Sequence, residues 1–167
     1  MRKNLLILGA GEYGQFVYEI ALATKRFKKI AFLDDNSPLA IGPIADLATL
    51  SGKFASAFVA IGNAEMRMQL LEQLTQNGYC PETLVHPTAF VSPSAKLGEG
   101  SIVEPLATVQ ANAVIGKGTM IASGAVVKHN ACVGNGCYID CNSVVLPDTK
   151  VPDGTKLSAN TVTEVGK

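Results

Sequence analysis

The sequence predicts an α/β half domain followed by an all-β stack of coils, and three observations carry that prediction. From Val91 onward every sixth residue is Val, Ile or Leu, through Leu97, Val103, Val109, Ile115, Ile121, Val127, Val133, Ile139, Val145, Val151 and Leu157. Ahead of that stretch, short apolar runs alternate with helically spaced ones around the loop Gly9-Ala10-Gly11-Glu12-Tyr13-Gly14. Nowhere does an apolar run approach the roughly 18 residues that a membrane-crossing helix needs.

A period of six matches neither a helix at 3.6 nor a strand at 2, but it matches a short strand plus a turn repeated on each face of a three-sided coil. Four residues after each aliphatic stands a small one: Ala95, Ser101, Ala107, Ala113, Thr119, Ala125, Ala131, Cys137, Ser143, Thr149, Thr155 and Thr161. The aliphatic points into the prism, and the small residue is expected to let the backbone turn the corner. Twelve hexads give about four coils of a parallel β-helix, stacked about 4.8 Å apart by ladder hydrogen bonds. Each buried aliphatic contributes roughly 1.5–3 kcal/mol before ordering entropy is subtracted, which is core enough for a domain.

The N-terminal part reads as strand, glycine loop and helix: residues 4–9, then 9–14, then 15–25 with Phe16, Val17, Ile20 and Ala21 at helical spacing. A second strand over 29–33 ends at Asp34-Asp35, a third is expected over about 55–61, and a helix over 64–76 carries Met68, Leu71 and Leu74 on one face. Residues 79–85 fit a fourth strand that closes on His86-Pro87. This order predicts a parallel, Rossmann-like sheet, but only about half of one. The boundary is expected at His86, giving a nucleotide-sugar-binding domain over 1–86 and the β-helix over 87–167.

Glycines in such a loop let a phosphate approach main-chain N–H groups at a helix N-terminus, where the macrodipole favours negative charge. Gly9, Gly11, Glu12 and Tyr13 are therefore candidate ligand contacts, with Asp34 or Asp35 placed to hydrogen-bond a ribose. Gly62 and Asn63 end the third strand on the same sheet edge. Asn63 reads a base or sugar edge, caps the following helix, or does both. The alternative is a strand–helix turn whose glycines serve packing and whose acids cap the next element. A nucleotide-sugar fits better than NAD, because a dinucleotide needs both halves of the doubly wound sheet.

Charge excludes other classes. Fourteen basic and fourteen acidic residues leave no net charge, so neither nucleic acid nor an anionic membrane is implied as a partner. The opening MRKNLLILGAGEYG has a signal-like basic start, but its apolar core stops at Leu8 and runs into glycines, so a buried strand and a cytoplasmic location are expected. Cys80, Cys132, Cys137 and Cys141 form no CxxC pair and three of them occupy repeat positions, which suits packing residues in a reducing compartment. A zinc lyase on a hexapeptide β-helix needs three histidines, and the chain has only His86 and His129, so no metal is expected.

The position two after each aliphatic holds Pro93, Glu99, Pro105, Ala111, Lys117, Ser123, His129, Asn135, Cys141, Pro147, Asp153 and Ala159. Such a residue lies outside the coil near a corner, so His129 has no packing duty. An imidazole with a pKa near about 6.5 can accept a proton at neutral pH, as acyl transfer to an amine or hydroxyl requires. A surface histidine without function is the competing reading.

Taken together, the segments Ile7 to Gly14, Leu33 to Asp35, Ala60 to Asn63, Val85 to Ala89 and Gly124 to Gly134 resemble the sugar acetyltransferases of bacterial glycan biosynthesis, a branch of the hexapeptide-repeat acyltransferases that acts on nucleotide-linked amino sugars or sialic acid. That resemblance implies a left-handed β-helix, a hand that runs against the usual crossover rule. It also implies a homotrimer with acetyl-CoA bound between adjacent β-helices and His129 as general base. Asn130 stands where the family commonly has Asp or Glu beside the base. Gly11, Asp34 and Asp35 match residues near the nucleotide-sugar, and Cys141 and Ala159 are the expected cofactor contacts.

One departure bears on activity. The family's next coil offers a backbone N–H to the thioester oxygen, yet one coil after His129 stands Pro147, which has none. The segment GCYIDCNSVVLPD (residues 136–148) resembles the coil after that, as though one were deleted. The sequence therefore predicts acetyl transfer to an amino or hydroxyl group of a nucleotide-linked sugar. The alternative is a catalytically impaired nucleotide-sugar-binding or assembly protein with a shortened β-helix.

Overall fold

The computed structural model describes residues 3–163. The chain divides into two compact units, Met1–Glu82 and Thr83–Lys167. In the first, strands β1 (Lys3–Leu8), β2 (Phe27–Leu33), β3 (Ser56–Val59) and β4 (Cys80–Pro81) form one parallel sheet in the order β2-β1-β3-β4. Helix α1 (Glu12–Ala23) links β1 to β2. The short α2 (Leu47–Leu50) precedes β3, and α3 (Ala64–Gln76) links β3 to β4. β1 is apolar on both faces because it is the central strand: Leu5, Leu6, Ile7 and Leu8 are all fully buried. Leu70, Leu71 and Leu74 of α3 close one side of the sheet against Leu6, Leu8, Ala57 and Val59.

α1 begins at Glu12, three residues before the sequence placed it, and Gly14 is therefore helical. A Cβ on Gly14 would collide with the Gly9 carbonyl, so that glycine serves close packing of helix on strand rather than the loop. Gly9 itself has φ +100, and a Cβ there would lie 2.7 Å from the Ala60 oxygen. The loop proper is thus Gly9 to Gly11. The unit ends at Glu82, 3% exposed, whose carboxylate is paired with Arg26 at 2.6 Å and with Lys3.

The second unit is a three-faced parallel β-helix. One face stacks Leu84–Val85, Ile102–Val103, Met120–Ile121, Tyr138–Ile139 and Lys156–Leu157. The next stacks Phe90–Val91, Thr108–Val109, Val126–Val127 and Val144–Val145. The third stacks Lys96–Leu97, Val114–Ile115, Cys132–Val133 and Lys150–Val151. Partners differ by eighteen residues, and the inward residues from Val103 to Val151 form one core.

Two expectations need correction. The expected fourth strand over residues 79–85 is two separate pieces. Cys80–Pro81 pairs with β3, whereas Leu84–Val85 pairs with Ile102–Val103, so Val85 is itself a repeat aliphatic and Ala89 its small partner. The small residue four places on is also not what turns the corner. It points inward and is buried at Ser101, Ala107, Ala113, Thr119, Ala125, Ala131, Cys137, Ser143 and Thr149. The turn is made one place earlier by a left-handed residue: Gly100, Leu106, Asn112, Gly118, Gly124, Asn130, Gly136, Asn142, Asp148, Gly154 and Asn160 all have positive φ. Gly, Asn and Asp tolerate that conformation; Leu106 is the exception.

Candidate functional site

His129 is exposed, as its place outside the coil predicts. Its main chain is fixed on both sides. The His129 N–H donates to Oε1 of Gln110 at 3.2 Å, and its carbonyl accepts from the Asp148 N–H at 3.3 Å. The same corner column holds Pro93, Ala111 and Pro147, none with a titratable side chain. The imidazole is therefore the group in that column able to move a proton near neutral pH.

Asn130 does something different from its expected role beside the imidazole. Its backbone is left-handed, at φ 59. Its Nδ2 donates to Asp148 at 3.1 Å while its Oδ1 accepts from Asn112 at 3.3 Å. Asn112, Asn130 and Asp148 thus form a side-chain ladder up the corner next to His129. Asn supplies both the backbone conformation and a donor–acceptor pair, which Asp at this place would not.

Cys141 and Ala159 stack on a different corner of the prism from His129. The Cys141 carbonyl accepts from the Asn160 N–H at 2.9 Å, and the Cys141 N–H donates to Asp140 at 2.7 Å. Burial and then the carboxylates of Asp140 and Glu104 push the Cys141 thiol upward, so it stays protonated and is a poor nucleophile. Glu104, 4% exposed, accepts from Ser123 through both its N–H and Oγ, at 2.9 and 3.0 Å. Within one chain the structure does not bring His129 together with Cys141 and Ala159.

In the first unit the expected ligand contacts converge on one sheet edge. Gly11 is the N-cap of α1 with no side-chain cap, it is exposed, and a Cβ there would meet nothing within 4 Å. Glu12 is exposed in the first turn, and Tyr13 is half-buried beside Phe16, with ring centroids 6.3 Å apart. The N–H groups of this turn are the anion-favouring end of the helix. Gly62 is likewise exposed and open, and Asn63 caps α3 by accepting from the Met66 N–H at 2.8 Å. That capping is the structural half of its two readings.

The two aspartates organise the loop that follows β2. Asp34 accepts from Ala10 at 2.8 Å through one carboxylate oxygen, and from Asn36 and Ser37 at 2.9 Å through the other. The Ala10 bond, followed by that to Asn36, holds its carboxyl below the usual value of 3.8. Asp35 accepts from Ile44 at 2.9 Å and is exposed. Asp34 thereby ties the glycine loop to the end of β2, a role that its distance from Gly14 in sequence did not reveal.

Sequence reasoning missed Arg67. It is 1% exposed, and its Nη1 donates to the carbonyls of Ile61 at 2.8 Å and Gly62 at 3.0 Å. The available signal was an Arg on the same face of α3 as Leu70, Leu71 and Leu74. Among the described residues no three His, Cys, Asp or Glu side chains group as a metal site requires, and no helix is long and apolar enough to cross a membrane.

Residues 4–74 match the family model of the PglD N-terminal domain, and residues 83–129 match that of the bacterial transferase hexapeptide (six repeats). A curated relative, UDP-N-acetylbacillosamine N-acetyltransferase of Bacillus subtilis (strain 168), is 32% identical over 109 residues. That match covers 60% of this chain and 50% of the relative, so the chain spans half the relative's length. Among solved structures, the acetyltransferase domain of PglB from Neisseria gonorrhoeae is 28% identical, with a TM-score of 0.69 over 95% of this chain and 97% of that one. The same domain in complex with acetyl coenzyme A gives 28% identity, a TM-score of 0.65 and coverage of 96% and 98%. PerB from Caulobacter crescentus, in complex with CoA and GDP-perosamine, shares the fold at 24% identity, with a TM-score of 0.73 over 96% of this chain and 91% of that one. The architecture is therefore an α/β N-terminal domain followed by the left-handed β-helix of the hexapeptide acetyltransferases.

Proposed function

We propose that this chain is an acetyl-CoA-dependent acetyltransferase that acts on an amino or hydroxyl group of a nucleotide-linked sugar, with His129 as general base. The observation that carries the reading is the exposed imidazole, held through its main chain by Gln110 and Asp148, in a column of otherwise non-titratable residues. Likeness to a domain that binds acetyl coenzyme A and to a relative named for a UDP-sugar substrate supports the donor and acceptor classes.

In this reading the N-terminal unit holds the nucleotide. Gly9, Gly11, Glu12 and Tyr13 contact it from the glycine loop, Asp34 and Asp35 from the loop after β2, and Gly62 and Asn63 from the loop after β3. The acceptor nitrogen or oxygen attacks the thioester carbon as His129 takes its proton, giving a tetrahedral intermediate. Collapse breaks the C–S bond, and the CoA thiolate leaves with that proton. No covalent enzyme adduct forms. Asn130 acts by shaping the corner that carries His129.

A homotrimer accompanies this reading. Cys141 and Ala159 contact the cofactor from a corner that lies away from His129 in the same chain, so a complete site requires a second copy. Phe90 at 58% exposed, Leu106 at 71% and Val162 at 54% supply apolar surface for such contacts. The free thiols at Cys80, Cys132, Cys137 and Cys141 fit a cytoplasmic location.

One observation favours a binding-only reading. Pro147 offers no N–H one coil after His129, and the Asp148 N–H next to it already donates to the His129 carbonyl. The test is calorimetric titration with acetyl-CoA and with a panel of UDP- and GDP-sugars. Saturable binding of both classes supports the transferase, whereas sugar-nucleotide binding without acetyl-CoA binding replaces it with the binding-only protein.

A further inference from the structure

The face of α3 that packs on the sheet carries Leu70, Leu71 and Leu74, and one turn earlier on that face stands Arg67, buried to 1%. A leucine there would pack without the desolvation that a guanidinium suffers. The arginine therefore needs a reason beyond packing. Its Nη1 donates to two consecutive main-chain carbonyls, Ile61 at 2.8 Å and Gly62 at 3.0 Å.

The consequence is geometric. In a trans peptide the C=O and the following N–H point in opposite directions. Turning the Ile61 and Gly62 carbonyls toward a buried guanidinium turns the N–H groups of Gly62 and Asn63 away from it. Both of those residues are exposed, and Gly62 has open space where a Cβ would stand. The Asn63 side chain is tied to Met66, which leaves its main chain as the group that faces outward. Gly9 packs against Ala60 and Ile61, so the paired donors adjoin the glycine loop.

We infer that Arg67 is a positioning residue for the nucleotide-sugar: it aims the N–H pair of Gly62 and Asn63 at phosphate oxygens of the diphosphate. Successive N–H groups held in this way form an anion-binding concavity. This inference rests on the nucleotide-sugar reading of the N-terminal unit. It assigns a role to a side chain that does not itself touch the ligand.

The test compares the parent with Arg67→Met and Arg67→Lys, using UDP, GDP and uridine as probes. Calorimetry gives affinity, and amide NMR of the full chain follows Gly11, Gly62 and Asn63. In the parent, UDP or GDP is expected to move the amide resonances of Gly62 and Asn63. Arg67→Met is expected to weaken nucleotide binding about ten-fold or more and to abolish those two shifts while that of Gly11 persists. Arg67→Lys, which keeps a donor to one carbonyl, should recover part of the affinity and serves alone where the Met variant does not fold. Nucleotide affinity and amide shifts unchanged in both variants overturn the role of Arg67 and leave the nucleotide reading standing. Equal losses for UDP and uridine overturn it as well, since a general loosening of the unit would act on both. A parent that binds no nucleotide removes the reading and the inference together.

Discussion

Oε1 of Gln110 lies 3.2 Å from the main-chain nitrogen of His129, one coil further along the β-helix. The contact fixes the corner from which the imidazole projects, and it comes from the coil before His129 rather than from a residue beside the ring. Gln110→Ala removes a neutral hydrogen bond worth about 1 kcal/mol. The expected result is a several-fold fall in kcat at unchanged KM for acetyl-CoA, checked by steady-state kinetics on the variant. A role confined to stability would lower the melting temperature and leave kcat of the folded fraction intact.

Asn130 separates a conformational role from a catalytic one. Asn130→Gly keeps the left-handed backbone but deletes the ladder bonds to Asn112 and Asp148, and is expected to lower stability by about 1–2 kcal/mol with little change in kcat. Asn130→Ala also forces a Cβ into the left-handed region and should cost about 1 kcal/mol more. Urea denaturation orders the two variants, and turnover of the folded protein reports whether the imidazole depends on the amide.

Leu106 occupies a left-handed corner at φ 62 with its side chain 71% exposed. Leucine costs roughly 1 kcal/mol there relative to residues that tolerate the conformation, and the chain itself gains little from so exposed a side chain. Leu106→Asn is expected to stabilise the isolated chain by about that amount and to weaken self-association. Sedimentation equilibrium over a concentration series measures the second effect, and an unchanged association constant would remove Leu106 from the interface.

Asp34 gives a pH dependence with a definite sign. Its carboxyl is held below the usual 3.8, first by the Ala10 N–H and then by that of Asn36. A group whose native pKa is depressed contributes stability that is complete above the unfolded value and disappears as pH falls through the native one. The Asp34→Asn variant should therefore be less stable than the parent by about 1–2 kcal/mol near neutral pH, with the difference closing below about pH 4. Denaturant midpoints across that range check it.

The repeat was legible because the core of a β-helix demands one aliphatic per face at fixed spacing, and no loop of variable length breaks the count. The same regularity misled in one respect. The small residue at the fourth place was visible, but it marks inward crowding, whereas the corner depends on the Gly, Asn or Asp one place earlier. Strand Leu84–Val85 was assigned to the wrong unit because a two-residue strand bonds its own ladder and carries no periodicity of its own. In the N-terminal unit the helix over 64–76 was placed at its observed ends, since Asn63 and Gly78 punctuate it. Arg67 and the three-way bonding of Asp34 were not legible. Both depend on which main-chain groups approach a side chain in space, and neither spacing nor residue type encodes that.

The central claim is that His129 accepts the proton in acetyl transfer to a nucleotide-linked sugar. The most direct measurement is turnover of acetyl-CoA with a UDP-linked amino sugar by the parent and by His129→Gln, together with calorimetric affinities for both substrates. The account predicts a loss in kcat of about 100-fold or more with both affinities retained, because a general base contributes on that order. Turnover by His129→Gln equal to that of the parent would contradict it.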